Sequence, residues 1–126
     1  MELRTVEWKN DSVVMIDQTK LPNELVFVKY TDFNDIATAI RTLVVRGAPA
    51  IGISGAFGMA LAVLQSSSET LEGLLSDLEN AKKILFETRP TAVNLSWGLE
   101  TIMEVAKQGK TVSEIRDTVI AKAKQM

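Results

Sequence analysis

Arg46-Gly47-Ala48-Pro49-Ala50-Ile51-Gly52-Ile53-Ser54-Gly55-Ala56-Phe57-Gly58-Met59-Ala60 is the stretch on which the fold turns. Gly47 interrupts the preceding pattern, and Pro49 then reads as the first helical position. Proline suits that place because its missing N–H would have no partner there and its φ is already helical. No charged side chain occurs from Gly47 to Gln65. A helix that is apolar on every side belongs in an interior, so the stretch predicts the central helix of a core. The small residues Ala48, Gly52, Gly55, Ala56 and Ala62 fall largely along one ridge. Glycine inside a helix costs roughly 1 kcal/mol relative to alanine. Gly52, Gly55 and Gly58 together therefore predict either close packing or a ligand against the backbone. The start of this helix, with unpaired amides and Arg46 before it, is suited to an anion.

The uncharged run from Gly47 to Leu64 is long enough to span a bilayer. Its glycines, Pro49 and Ser54, and the amphipathic segments on both sides, place it in a protein core instead. Around it lie 126 residues, the length of one domain, with 46% hydrophobic content and a net charge of −2. Lysines are scattered, which excludes a broad basic footprint and makes nucleic acid an unsuitable partner. Cysteine and histidine are absent. That removes thiol and imidazole chemistry and any Cys/His metal site, and it fits a cytoplasmic chain. Met1-Glu2-Leu3-Arg4-Thr5-Val6-Glu7 is charged and strand-like, unlike a signal peptide.

Before the central helix the pattern is β-rich. Leu3 to Lys9 and Ser12 to Asp17 flank Asn10-Asp11, which reads as a hairpin turn, and Leu25 to Tyr30 reads as a third strand. The period changes near residue 31. Asp32 caps a predicted helix reaching about Val45, with Ile36, Ile40, Leu43 and Val44 on one face. After Ser66-Ser67-Ser68, Thr70 or Ser68 caps another helix to about Phe86, burying Leu71, Leu74, Leu75, Leu78, Ala81, Ile84 and Leu85. A fourth helix starts at Pro90 or Thr91 and ends near Gly109, which suits a helix-terminating glycine. Thr111 or Ser113 opens a fifth, with Val112, Ile115, Val119 and Ala123 inward. The fold class is therefore α+β: a three-stranded antiparallel sheet in residues 1–30 packed on a bundle of about five helices in residues 31–126, one compact domain. The helical pattern runs to Met126 without a glycine or proline stop signal.

Two arginine–proline junctions carry the chemistry. Arg46 precedes Pro49 and Arg89 precedes Pro90, each before a predicted helix. Convergence of the two would form a phosphate pocket, because guanidinium grips phosphate bidentately and helix amides add directed donors. Each arginine pairing with a carboxylate, or facing solvent, is the alternative. Asn94 and Ser96 are within reach of the same pocket, although a polar helix face accounts for them equally well. Trp97 and Phe57 are assigned to the core, as is Trp8. Asp17 is expected to brace the turn after the second strand, and Glu69, Glu72, Asp77 and Glu79 form a solvated face.

RGAPAIGISGAFGMA at residues 46–60, TRPTAVNLSWGLE at 88–100 and IDQTKLP at 16–22 together resemble the methylthioribose-1-phosphate isomerase family. That family is shared with the regulatory subunits of the guanine-nucleotide exchange factor of translation initiation. The resemblance runs from about Leu3 to the end and matches the family's N-terminal part. It implies that Arg46, Gly47, Ala48 and Arg89 contact a phosphorylated sugar, during conversion of methylthioribose-1-phosphate to methylthioribulose-1-phosphate in methionine salvage. The family's cysteine and aspartate for that step lie in its C-terminal half, a nucleotide-fold-like domain, so no catalytic residue is carried over to this chain. The chain is expected to be a domain of a longer protein, inactive alone, and a homodimer when complete. No cofactor or metal is implied, and no membrane. A non-catalytic regulatory or binding module, like the exchange-factor subunits, is the alternative, though intact RGAPAIG and TRPTAVN favour the isomerase branch. A helical interaction domain without a ligand would instead hold Arg46 and Arg89 far apart or salt-bridged.

Overall fold

Alternating apolar residues fold the first part of the chain into a meander. The computed structural model describes residues 6–42, 44, 45 and 47–126. Strands β1 (Val6–Lys9), β2 (Ser12–Ile16) and β3 (Phe27–Tyr30) form an antiparallel sheet in the order β1-β2-β3. Lys9 faces Ser12 across the first turn, and Val13 faces both Trp8 and Tyr30. Asn10 and Asp11 make that turn with φ of 52° and 58°. Both are residue types that tolerate the left-handed region a two-residue hairpin needs. Val13 and Met15 point into the protein and are buried.

Asp17 then braces the chain as expected. Its carboxylate accepts from the Thr19 amide at 2.9 Å and the Thr19 hydroxyl at 2.5 Å, closing a short 3-10 turn over Gln18–Lys20. Backbone bonds tie this turn to its surroundings: the Asp17 amide donates to Val26 O and the Gln18 amide to Val44 O, each at 2.8 Å. The IDQTKLP segment thus buttresses the residues just before the central helix.

Five helices follow: α1 (Phe33–Arg41), α2 (Ala48–Gln65), α3 (Leu71–Thr88), α4 (Val93–Gln108) and α5 (Val112–Gln125). The expected α+β architecture is present. Helix α2 touches α1, α3, α4, α5 and β1, with Ile51 5%, Phe57 5% and Leu61 1% exposed. It is the core helix that its lack of charge predicted. Among the described residues, no helix is long and apolar enough to cross a membrane. Trp8 lies half-buried against Phe57, with ring centroids 5.7 Å apart.

Several boundaries differ from expectation. Helix α1 stops at Arg41, short of Val45. Thr38 and Thr42 turn their hydroxyls back to the carbonyls of Asn34 and Thr38, and the Val44 amide returns to Ala39 O at 3.0 Å, closing the helix before the Val44-Val45 pair. Leu43 lies outside the described residues. Gly109 ends α4 in an extended conformation, φ −72°, and not in a left-handed one. Its lack of a side chain matters because a Cβ there would collide with Ile115. Asp77 does more than face solvent, since it accepts from the Ser66 and Ser68 hydroxyls at 2.6 and 2.9 Å and so pins the α2–α3 loop.

Side-chain caps open three of the helices. Thr70 accepts from the Gly73 amide and Thr111 from the Glu114 amide; Asp32 accepts from the Asn34 amide at 2.8 Å. That backbone bond, more than the Gln65 and Asn34 side chains, holds the Asp32 carboxyl below its usual value of 3.8. Asp32→Ala is expected to cost about 1 kcal/mol, the usual worth of an N-cap. A carboxyl with a lowered folded-state pKa contributes stability above its unfolded value and loses it as pH falls through the lowered one. The gap between parent and variant in urea melts should therefore be full at neutral pH and shrink once pH drops below 3.8. A gap independent of pH down to complete protonation would show that the carboxylate is not the cap.

Candidate functional site: a cleft at two helix N-termini

Gly47 is the N-cap of α2, with φ 99° and ψ 130°, a conformation that glycine adopts without strain. Helix α2 begins one residue earlier than expected, so Pro49 is its second residue rather than its first. The first bond closes from the Ile51 amide to Gly47 O at 2.9 Å. The amides of Ala48 and Ala50 precede that bond, and any helix start leaves such amides without intrahelical acceptors.

The second junction is built differently from the first. Helix α4 starts at Val93, and Pro90 and Thr91 lie in a turn before it. Arg89 caps the end of α3 with φ −150° and ψ 75°, because a residue before proline is driven out of the α region. Its amide donates to Phe86 O at 3.2 Å, and Ala92 N donates to its carbonyl at 3.0 Å. The turn places Arg89 four residues ahead of α4 rather than at its first turn. The N-cap of α4 is Ala92, which offers no side-chain cap, so the first amides of α4 also lack protein acceptors of that kind.

Glycines bring these two helix starts together. A Cβ on Gly52 would sit 2.8 Å from Asn94 O, and one on Gly98 would strike Gly52 O. Only hydrogen at both positions lets the α2 and α4 backbones touch, with the α4 start lying beside the second turn of α2. Leu95 and Leu99 pack over Gly55, fixing the rotation of α4. The glycines thus serve close packing between helices.

One cleft of about 270 Å³ opens at this end of the helix pair, lined by Gly47, Ile51, Arg89, Ala92, Val93 and Asn94. Its size does not distinguish it, for grooves along α3–α4 and beside Ser66 are as large. Its lining does: a half-buried guanidinium, a half-buried carboxamide and two helix N-termini, with no acidic residue. No carboxylate among the described residues pairs with Arg89; the two ion pairs found are Lys82–Glu100 at 2.6 Å and Lys107–Glu79 at 3.6 Å. Helix N-termini and a guanidinium of this kind are chemically suited to an anion.

Of the residues expected at the site, Gly47 and Arg89 line this cleft. Arg46 lies outside the described residues, as does the side chain of Ala48. Asn94 reaches the cleft, and Ser96 is not among its lining residues. Ile51, Ala92 and Val93 were not singled out from sequence, since apolar lining carries no signature of its own. Trp97 is not core: it is 58% exposed, on the solvent face of α4.

Relatives share this framework. The methylthioribose-1-phosphate isomerase of Citrifermentans bemidjiense is 48% identical over 125 residues, 98% of this chain and 36% of that protein. The crystal structure of 5-methylthioribose 1-phosphate isomerase from Pyrococcus horikoshii OT3 superposes with a TM-score of 0.93 at 42% identity, over 97% of this chain and 35% of that one. Subunit delta of translation initiation factor eIF-2B from A. fulgidus superposes with a TM-score of 0.93 at 37% identity, over 98% and 36% of the two chains. The chain thus spans little more than a third of the length of these relatives. The family profile of initiation factor 2 subunits matches residues 44–126, the segment that contains both helix starts and the cleft between them, and the chain belongs to the initiation factor 2 subunit family.

Proposed function

We propose that this chain is the substrate-phosphate-binding domain of an aldose–ketose isomerase that converts methylthioribose-1-phosphate to methylthioribulose-1-phosphate in methionine salvage. The observation that carries the reading is the meeting of the α2 and α4 N-termini with Arg89 at one cleft free of carboxylates. A sugar phosphate needs such a set of donors: amides aimed along two helix axes and a planar guanidinium for two phosphate oxygens. Arg46, Gly47 and Ala48 are assigned to the same phosphate by resemblance, together with Arg89.

In this reading the β-rich residues 1–30 and the helical residues 31–126 form one compact domain. The chain holds the substrate's phosphate and orients the sugar, and it supplies no acid, base or nucleophile to the isomerisation. Those groups belong to the remaining polypeptide, which relatives carry beyond the aligned third. The complete protein is then a cytoplasmic homodimer.

A second reading is a regulatory or binding subunit like those of the translation-initiation exchange factor. It has support in the A. fulgidus eIF-2B delta structure, which superposes as well as the isomerase does. Fold alone does not separate the two.

Turnover does. The 126-residue chain alone should show no isomerase activity on methylthioribose-1-phosphate above a mock preparation. Fused in place of the matching part of the C. bemidjiense isomerase, it should support turnover. A folded fusion that binds no substrate and turns none over would move the assignment to the regulatory class.

A further inference from the structure

Ser12, Asp17 and Ser54 are the buried polar residues among those described. The two serines return their hydroxyls to nearby carbonyls, Ser12 to Lys9 O and Ser54 to Ala50 O. Asp17 is the ionisable one, at 9% exposure. A carboxylate is seldom buried so far, because taking its charge out of water is costly. What it holds is a turn with a long reach. The carboxylate takes both the amide and the hydroxyl of Thr19, which orients the residue between them, and the amide of that residue, Gln18, donates to Val44 O. Val44 is held from its other side too, its amide donating to Ala39 O, and Val45 is 1% exposed. Gly47, the N-cap of α2 and a wall of the cleft, lies just beyond.

We propose that Asp17 is a positioning residue for anion binding: through the Gln18–Val44 bond it sets where the chain enters α2, and hence where Gly47 and the first α2 amides stand relative to Arg89. This rests on the reading of the cleft as a phosphate site. Donors converging on one ligand must be held to within about 0.5 Å of the productive geometry. Gly47 cannot supply that precision itself, since glycine has the widest conformational freedom of any residue. Packing does not supply it either, because a Cβ at Gly47 would meet nothing within 4 Å. The restraint comes along the chain. On one side the Ile51 amide bonds Gly47 O; on the other stand the clamped Val44 and the buried Val45.

Electrostatics alone points the other way, which makes the role separable. A carboxylate repels a phosphate, so removing the Asp17 charge without moving the chain would tighten anion binding. Removing the acceptor that holds the turn frees Gln18 from Val44 and lets the α2 entrance shift, which loosens binding. The two effects differ in sign.

Titration of the 126-residue chain with inorganic phosphate, followed by the NMR shifts of the Gly47 and Asn94 amides, tests this. Asp17→Ala should bind phosphate several-fold more weakly than the parent, although it has lost a negative charge. Asp17→Asn keeps an oxygen acceptor for Thr19 and should bind at least as tightly as the parent. Thr19→Ala changes no charge and leaves one of the two bonds, so it should weaken binding less than Asp17→Ala does, and it carries the test if Asp17→Ala fails to fold. Thr111→Ala removes the cap of α5, away from the cleft lining, and should leave phosphate affinity unchanged. Parental affinity in both Asp17→Ala and Thr19→Ala overturns the proposal. Tighter binding in Asp17→Ala does so too, since Asp17 would then act only as a charge. An equal loss in Thr111→Ala would reduce the effect to general loosening and overturn it as well. Phosphate that shifts Gly47 and Asn94 alike in parent and variants leaves the cleft standing and removes the role of Asp17. Phosphate that shifts neither amide in the parent removes the cleft reading, and this proposal with it.

Discussion

Replacing Gly98 with alanine is expected to destabilise the chain by about 2 kcal/mol or more, the difference between roughly 3 kcal/mol of overpacking and the roughly 1 kcal/mol that alanine gains in helix propensity. The new methyl would occupy the space of Gly52 O. That atom is backbone in the second turn of the core helix, so it has no rotamer by which to move away. Gly58 is the comparison position, where a Cβ would lie 3.0 Å from Leu85 Cδ1, the far end of a flexible side chain. Gly58→Ala should therefore cost distinctly less than Gly98→Ala. Urea unfolding of the two variants checks the order, and equal midpoints would show that α2 and α4 can separate without loss. Any shift of α4 that accommodates the methyl also moves Ala92 and Asn94 away from Gly47. The Gly98 variant should accordingly lose anion affinity more than Gly58→Ala does.

The Gly98 contact also marks a limit of the sequence. Gly52, Gly55 and Gly58 announce a close approach because three glycines in one apolar helix need a reason. Which element approaches is not written beside them; Gly98 is distant in the chain and looks like an ordinary helical position. The core helix itself was legible, because nineteen successive residues without a charge from Gly47 to Gln65 have few places to go. So were the caps at Asp32, Thr70 and Thr111, where a short polar side chain bonds an amide two or three residues on. Those effects are local, and local effects survive in a single sequence.

Where two local rules compete, the reading failed. Pro90 suggested a helix start, by the preference of proline for the first turn. The same proline forces Arg89 out of the helical region, and the resulting turn delays α4 to Val93. Arg89 consequently projects from a turn between two helices, still at the cleft but by another route. Trp97 failed for a different reason. It was assigned to the core, yet its fate depends on what packs over the outer face of α4, and that is decided beyond the element itself.

The largest functional effect is expected at Arg89. It lines the cleft, pairs with no carboxylate among the described residues, and its backbone, not its side chain, shapes the turn from α3 to α4. Removing the guanidinium should therefore spare the fold. A hydrogen bond to a charged group contributes roughly 1.5–3 kcal/mol, and each 1.4 kcal/mol is about tenfold in affinity. In the complete protein, or in a fusion that turns over, Arg89→Ala should weaken substrate binding at least ~10-fold. If the phosphate, which is attached to the reacting C1, is gripped equally in ground and transition states, KM should rise while kcat holds nearly steady. Arg89→Lys keeps the charge but loses the bidentate fork, and should recover only part of the affinity. A fall in kcat at constant KM would place Arg89 on the transition state. Unchanged kinetics in Arg89→Ala, with the variant folded, would remove the phosphate from this cleft.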